Sequence, residues 1–254
     1  MTRKAVVAGL FYPEAPDELA ATVDALIDLV GREPRAGMSA FVTPHAGYAY
    51  SGQVAAAAFA IAPRAARVAL LGPSHFEPLE GLAISSADAW ATPLGEVPVS
   101  AELRAAAVGA GAVVDDAPHT RDHALEVQLP FLQRVCQDGL EILPVSVGPA
   151  PPEQIAEVIA ALDALVVVST DLSHDQPEPK ARELDRCTAD AVIARNPSAL
   201  TDGAACGVHA LRGLVEHARR EQFAVELLDL RTSADATADS ASVVGYGAFA
   251  LQRT

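Results

Sequence analysis

Cysteine, aromatic residues and basic charge are all scarce in this chain. Three cysteines, Cys136, Cys187 and Cys206, stand among 254 residues. They cannot all pair within one chain and no framework spacing joins them, which points to a reducing compartment and a cytoplasmic protein. Lysine and arginine number 18 against 33 acidic residues, a formal net charge of −15. No basic excess is available to release phosphate counterions, so nucleic acid is excluded as a partner. The same deficit argues against docking on anionic lipid. The longest uncharged stretch, 46–63, is mostly alanine interrupted by glycine, serine and glutamine, so no membrane span is read. Arg3 and Lys4 precede apolar residues, but Tyr12-Pro13-Glu14 follows too soon for a secretory leader.

Several ready-made sites are also missing. The sequence contains no G-x-x-x-x-G-K-[ST] phosphate loop, and no G-x-G-x-x-G follows a strand. It has no H-E-x-x-H, no C-x-x-C and no G-x-S-x-G. Ser74 and Ser173 neighbour histidines without a nucleophile elbow, which disfavours a serine hydrolase.

What is present is an apolar half, 50% of the residues, ample for a large core without disulfides. Leu19, Val23, Leu26, Ile27 and Val30 share one helical face, with Pro16-Asp17-Glu18 suited to the first turn and Gly31 to the stop. Further helices are predicted over 52–61, 101–108, 123–136, 152–162, 181–194 and 207–220. Short apolar runs at 40–42, 68–71, 82–84, 142–147, 165–168, 225–230 and 243–251 read as strands. Strands alternating with helices, with no repeat and no long linker, give an α/β fold. The expected architecture is one α/β/α domain over 1–254, around a largely parallel or mixed sheet.

The chemistry is expected at strand ends. Three buried-looking strands each run into a loop carrying a histidine: His45, His75 and His174. In open α/β sheets ligands bind at the carboxyl ends of strands. Cys206 precedes what looks like a helix start, where the dipole favours thiolate. Cys136 and Cys187 read as packing residues. His123 and Glu126 lie three apart, on one face if helical, as a proton-transfer pair or as partners to a ligand; Asp122 as a cap and Glu126 in a surface pairing is the alternative. Asp171 and His174 form a similar pair, in which the carboxylate could fix the histidine tautomer. His119, His209 and His217 carry weaker signals, His217 reading as solvated. Two histidines and a cysteine from separate loops suit a divalent transition metal, the soft thiolate favouring Fe(II), Cu or Zn over Mg²⁺ or Ca²⁺.

Taken in order, a set of short strings is more specific than any one of them. They are Ala8-Gly9-Leu10-Phe11-Tyr12-Pro13, Pro44-His45-Ala46-Gly47-Tyr48, Leu71-Gly72-Pro73-Ser74-His75, Asp122-His123 with Glu126 and Leu129-Pro130-Phe131, Pro144 with Val147-Gly148, Ser169-Thr170-Asp171-Leu172-Ser173-His174, and Cys206-Gly207. With these strings the chain resembles the Memo-like family, also called AmmeMemoRadiSam system protein B, over nearly its whole length. The resemblance implies a fold like that of class III extradiol ring-cleaving dioxygenases, which hold non-haem Fe(II) with two histidines and a glutamate. In Memo-like proteins the pocket has two histidines and a cysteine. Carried over, His45, His75 and Cys206 are the metal ligands, Asp171 and His174 line the pocket, and His123 and Glu126 match a family motif. Cysteine in place of the carboxylate makes the site softer and oxidisable. Phe11 stands where some relatives have tryptophan and should still supply an aromatic wall. A radical-SAM protein and an AMMECR-type protein are partners implied by the same resemblance.

Three functions follow as expectations. The first is a redox enzyme using Fe(II), or else Cu, with His174, Asp171, His123 and Glu126 as catalytic groups. The second is a protein whose pocket binds a peptide or small-molecule ligand without catalysis. The third is a metal-dependent hydrolase, for which Zn would serve.

Overall fold

A computed structural model gives the structure of the chain and describes residues 1–237 and 239–253. The elements run β1 (Thr2–Arg3), α1 (Pro16–Val30), β2 (Met38–Thr43), α2 (Tyr48–Ile61), β3 (Arg67–Gly72), β4 (Leu82–Ile84), β5 (Ala89–Thr92), β6 (Gly95–Pro98), α3 (Ala101–Gly109), β7 (Val113–Val114) and α4 (Ala117–Thr120). They continue α5 (Leu129–Val135), β8 (Glu141–Val147), α6 (Pro152–Ala160), β9 (Leu165–Ser169), α7 (Glu178–Ile193), α8 (Val208–Arg220), β10 (Ala224–Thr232), α9 (Ala234–Thr237) and β11 (Gly245–Gln252).

The main sheet is mixed, with its eight strands in the order β10-β11-β2-β9-β3-β8-β4-β7. Its centre, β2-β9-β3-β8, is parallel, while β11 and β4 run antiparallel to their central neighbours. Strand β9 is Leu-Val-Val-Val-Ser and buried throughout, because helices cover both of its faces. Helices α1, α2 and α5 pack together on one side; α3, α6 and α8 pack together on the other, where α8 meets β9, and α7 lies against β10 and β11. A small second sheet, β1-β5-β6, adjoins the large one, with β6 against β8 and Ser100 N–H donating to Ile142 O at 2.9 Å. The expected three-layer α/β/α arrangement is therefore present.

Local rules explain most boundaries. α1 buries Leu19, Val23 and Ile27, and its chain stops where Gly31, at φ 89°, donates its N–H to Ile27 O. The helix expected over 123–136 is corrected. Leu125, Leu129 and Leu132 have helical spacing, but Pro130 has no N–H to donate and takes the first turn of α5. Residues 126–128 form a single 3₁₀ turn before it, and His123 lies in a loop. The alanine-rich helix α2 starts a turn earlier than expected, at Tyr48.

Candidate metal centre

Strand order creates the site. β2, β9 and β3 are adjacent and parallel, so the loops after Thr43, Ser169 and Gly72 leave one sheet edge side by side. They carry His45, Asp171 with His174, and His75. Cys206 joins from the turn that starts α8, where its N–H reaches Asp171 O at 3.2 Å. Gly207 permits this approach: a Cβ there would lie 2.8 Å from Thr170 Cβ, whereas its amide now donates to Thr170 Oγ1 at 2.8 Å. One ligand atom each from His45, His75 and Cys206 lies within 4.8 Å of the others. The His45 and His75 ring centroids are 5.1 Å apart.

The hydrogen bonds dictate which nitrogens are free. Ser169 Oγ donates its proton to Ala124 O at 2.6 Å and accepts from Gln128 Nε2 at 2.8 Å. His45 Nδ1, 3.0 Å from the same oxygen, must therefore be the N–H that donates to it. That leaves the His45 Nε2 lone pair facing Cys206 Sγ at 3.2 Å. Burial, helped by the charges of His75 and His123, drives the His45 pKa well below its ordinary value, so this lone pair stays unprotonated at neutral pH.

His75 is held the same way by a carboxylate. Asp122 accepts the His75 amide at 2.6 Å, the His75 Nδ1–H at 3.2 Å and the Ala124 amide at 2.8 Å. Burial opposes the Asp122 charge, but the hydrogen bonds and charge of His75 outweigh it and hold the pKa down at about 2. Burial likewise opposes a charged His75; Asp122 and Cys206 outweigh it and push the His75 pKa up to about 10. An imidazole whose Nδ1–H is tied to a carboxylate presents Nε2 outward, the usual arrangement of a metal-binding histidine.

The donor set fits a transition metal. Bonds of roughly 2.0 Å to nitrogen and 2.3 Å to sulfur place tetrahedral ligand atoms roughly 3.3–3.6 Å apart. The 3.2 Å His45–Cys206 separation lies close to that spacing. His45 is buried and His75 exposed, so the cluster opens to solvent on the His75 side.

The remaining sequence candidates divide. His123 reaches the cluster: its ring stacks on His75 at 4.9 Å and meets His45 at 5.5 Å, and Phe11 walls it at 4.6 Å. Burial, then the charge of His75, lowers its pKa. The proposed pairing of His123 with Glu126 on a helical face is corrected, because no helix spans the two residues. Glu126 is fully buried, and it is no surface pair either. It accepts Arg3 Nη1 at 2.6 Å, the amides of Val6 and Val7, and Tyr12 Oη–H at 2.7 Å. These donors fill its acceptor positions.

Asp171 is central but does not orient His174 as expected. Its Oδ1 accepts the His45 amide at 2.7 Å, and its own N–H points at Cys206 Sγ at 3.3 Å. Burial is the main reason its pKa rises to about 6. His174 instead donates Nδ1–H to Leu172 O at 2.9 Å, leaving Nε2 free on an exposed side chain. His119 is buried apart from the cluster, with Nε2 3.2 Å from Ala83 O. His217 is half-buried against Phe223 rather than solvated. Cys136 is buried as expected, but Cys187 is exposed: it sits on the outer side of α7, between the inward-facing Asp185 and Thr188.

Sequence reasoning missed Ser169 and Gln128, and read Asp122 only as a cap. Asp122 had one available signal, an acidic side chain next to a loop histidine. Ser169 had only its place at the end of the apolar run.

Fold and donors together define an α/β protein with a candidate His₂Cys transition-metal centre at the carboxyl ends of adjacent parallel strands. The sequence profile of the family described as Memo-like protein matches residues 3–250. A MEMO1 family protein of Aquifex aeolicus is 35% identical, covering 96% of this chain and 97% of its own length. Those of Methanosarcina barkeri and Archaeoglobus fulgidus are each 32% identical, covering 98% and 94% of this chain and 100% and 95% of their own. The chain belongs to the Memo-like family. Among the described residues, no helix is long and apolar enough to cross a membrane.

Proposed function

We propose that this protein is a non-haem metal-dependent redox enzyme, with Fe(II) as the working metal and His45, His75 and Cys206 as its ligands. The carrying observation is the pair of fixed tautomers. Ser169 and Asp122 each engage an Nδ1, which leaves the Nε2 of both histidines for the cluster, and that of His45 lies 3.2 Å from the cysteine sulfur. Cysteine binds a metal as thiolate, so binding is coupled to proton loss from the site, the proton on His75 Nε2 included. A soft thiolate beside two imidazoles favours Fe(II) or Cu over a hard cation. When bound, the metal would supply open positions for a substrate and an electron acceptor.

The protein groups do the rest. His174, an exposed side chain whose Nδ1 is tied to Leu172 O, is placed to take a proton at Nε2 from a ligand entering on the open side. His123, held between Phe11 and His75, offers a second imidazole at the same mouth. Asp171 fixes the His45 backbone and the Cys206 sulfur together, so it sets their spacing. Glu126 is left to hold the chain.

The reading is tested by anaerobic reconstitution with Fe(II), followed by exposure to O₂ with candidate chelating aromatics. Uptake of O₂ that needs bound Fe(II) and falls at least 100-fold in His174→Ala, with metal content unchanged, is the expected result. Turnover with Zn and without O₂ would instead make the protein a hydrolase.

A further inference from the structure

Arg3 lies far from the cluster in sequence. Its side chain is 8% exposed. The guanidinium uses all three nitrogens on three different residues of one turn. Nε donates to His119 O at 2.7 Å, Nη2 to Asp122 O at 2.6 Å and Nη1 to Glu126 Oε2 at 2.6 Å. The group also stacks on Trp90, 4.1 Å from the ring centroid. The turn it spans, 119–126, carries Asp122 and Ala124. Asp122 holds the amide and Nδ1 of His75; Ala124 O receives the Ser169 hydroxyl that faces His45. Hydrogen bonds joined through the covalent frames of Asp122 and Ala124 therefore link Arg3 to both histidines.

We infer that Arg3 is a positioning residue for His75 and His45, acting through the backbone of the Asp122 turn, so that the first residues of the chain are part of the site's frame. Arginine suits the role because its planar fork reaches three acceptors in fixed directions. A lysine at the same place would keep the charge opposite Glu126 and lose that geometry. The other oxygen of Glu126 secures Val7 and Tyr12, so the segment bearing Phe11 is tied to the same turn.

The test compares Arg3→Lys and Arg3→Met with Leu103→Ala, which opens a cavity at a buried residue of α3 away from the cluster. Native-state hydrogen exchange is measured on the metal-free protein at a temperature where the variants have equal stability. In both Arg3 variants the His75 and Ala124 amides, which donate to Asp122, should exchange at least 10-fold faster than in Leu103→Ala. Co(II) affinity, read by chelator competition, should fall about 10–100-fold in Arg3→Lys and stay at the wild-type value in Leu103→Ala. Equal exchange at those two amides in Arg3→Lys and Leu103→Ala would overturn the inference. The Co(II) result rests on the metal reading proposed above, whereas the exchange result does not. Wild-type protein that takes no Co(II) would sink the metal reading and leave the exchange comparison to decide the role of Arg3.

Discussion

Replacing Ser169 by alanine removes one oxygen and disturbs three partners. The hydroxyl is fully buried, donates to Ala124 O, and accepts from Gln128 Nε2 and His45 Nδ1. Gln128 keeps its bond to Pro44 O at 2.8 Å, so its loss is partial. Ala124 O and His45 Nδ1–H lose the bond this hydroxyl provides. A buried polar group left unpaired costs about 1–3 kcal/mol. With some relaxation, the variant should lose about 2–4 kcal/mol of stability. The effect on the site is separate. Without Ser169 nothing fixes the proton on Nδ1, and the tautomer protonated at Nε2, which cannot bind metal, becomes populated. Metal affinity should fall about 10–100-fold. Urea denaturation of metal-free protein gives the first quantity and Co(II) competition with a chelator gives the second. A variant that loses under about 0.5 kcal/mol and binds Co(II) as wild type would refute the tautomer argument.

Further expectations concern other parts of the molecule. Gly245→Ala would set a Cβ 2.0 Å from Asp185 Oδ2 and should cost about 1–3 kcal/mol; a double variant with Asp185→Ala should cost less than the two single changes together, and additivity would contradict the packing account. Burial lowers the His119 pKa to about 4, so between there and the unfolded value near 6.5 the unfolded chain binds more protons. Its contribution to stability is therefore complete above about pH 6.5 and declines by up to about 3 kcal/mol as pH falls to 4. Comparing stability–pH curves of wild type and His119→Gln isolates it, and parallel curves would count against a neutral buried imidazole. Maleimide should label exposed Cys187 in the native protein and spare Cys136, whose thiol burial pushes up to about 11, with bound metal protecting Cys206 alone; peptide mass spectrometry reads all three, and early labelling of Cys136 would be contrary.

The parts of this fold that the sequence made legible are those governed by local periodicity. Helix α1 carries its stripe and its glycine stop, and β9 is apolar at four of five positions because both faces are covered. The three histidine loops were legible as strand ends. Their adjacency was not, because nothing local says that β9 lies between β2 and β3. The β5–β6 hairpin was missed because Ala-Trp-Ala-Thr is short and its partner Gly-Glu-Val-Pro has no apolar run. At the site, the ligand candidates stood out by chemical type, whereas their supports did not. Ser169, Gln128 and Arg3 act through contacts with residues far away in the chain, and single side chains of those types are common. Glu126 was misplaced because the leucine spacing around it continued the helical pattern through Pro130.

The central claim is that His45, His75 and Cys206 form one metal centre. Its most direct test is metal stoichiometry by elemental analysis of untagged protein purified without oxygen, alongside Cys206→Ser and Cys206→Asp. The account predicts about one transition metal per chain in the wild type and loss of most of it in Cys206→Ser with folding intact, because a neutral hydroxyl replaces the thiolate. Cys206→Asp should recover Fe(II), completing a two-histidine-one-carboxylate set, while losing affinity for Cu(I). Full metal content and an unchanged melting temperature in Cys206→Ser would contradict the claim, and would reduce Cys206 to a packing residue beside His45.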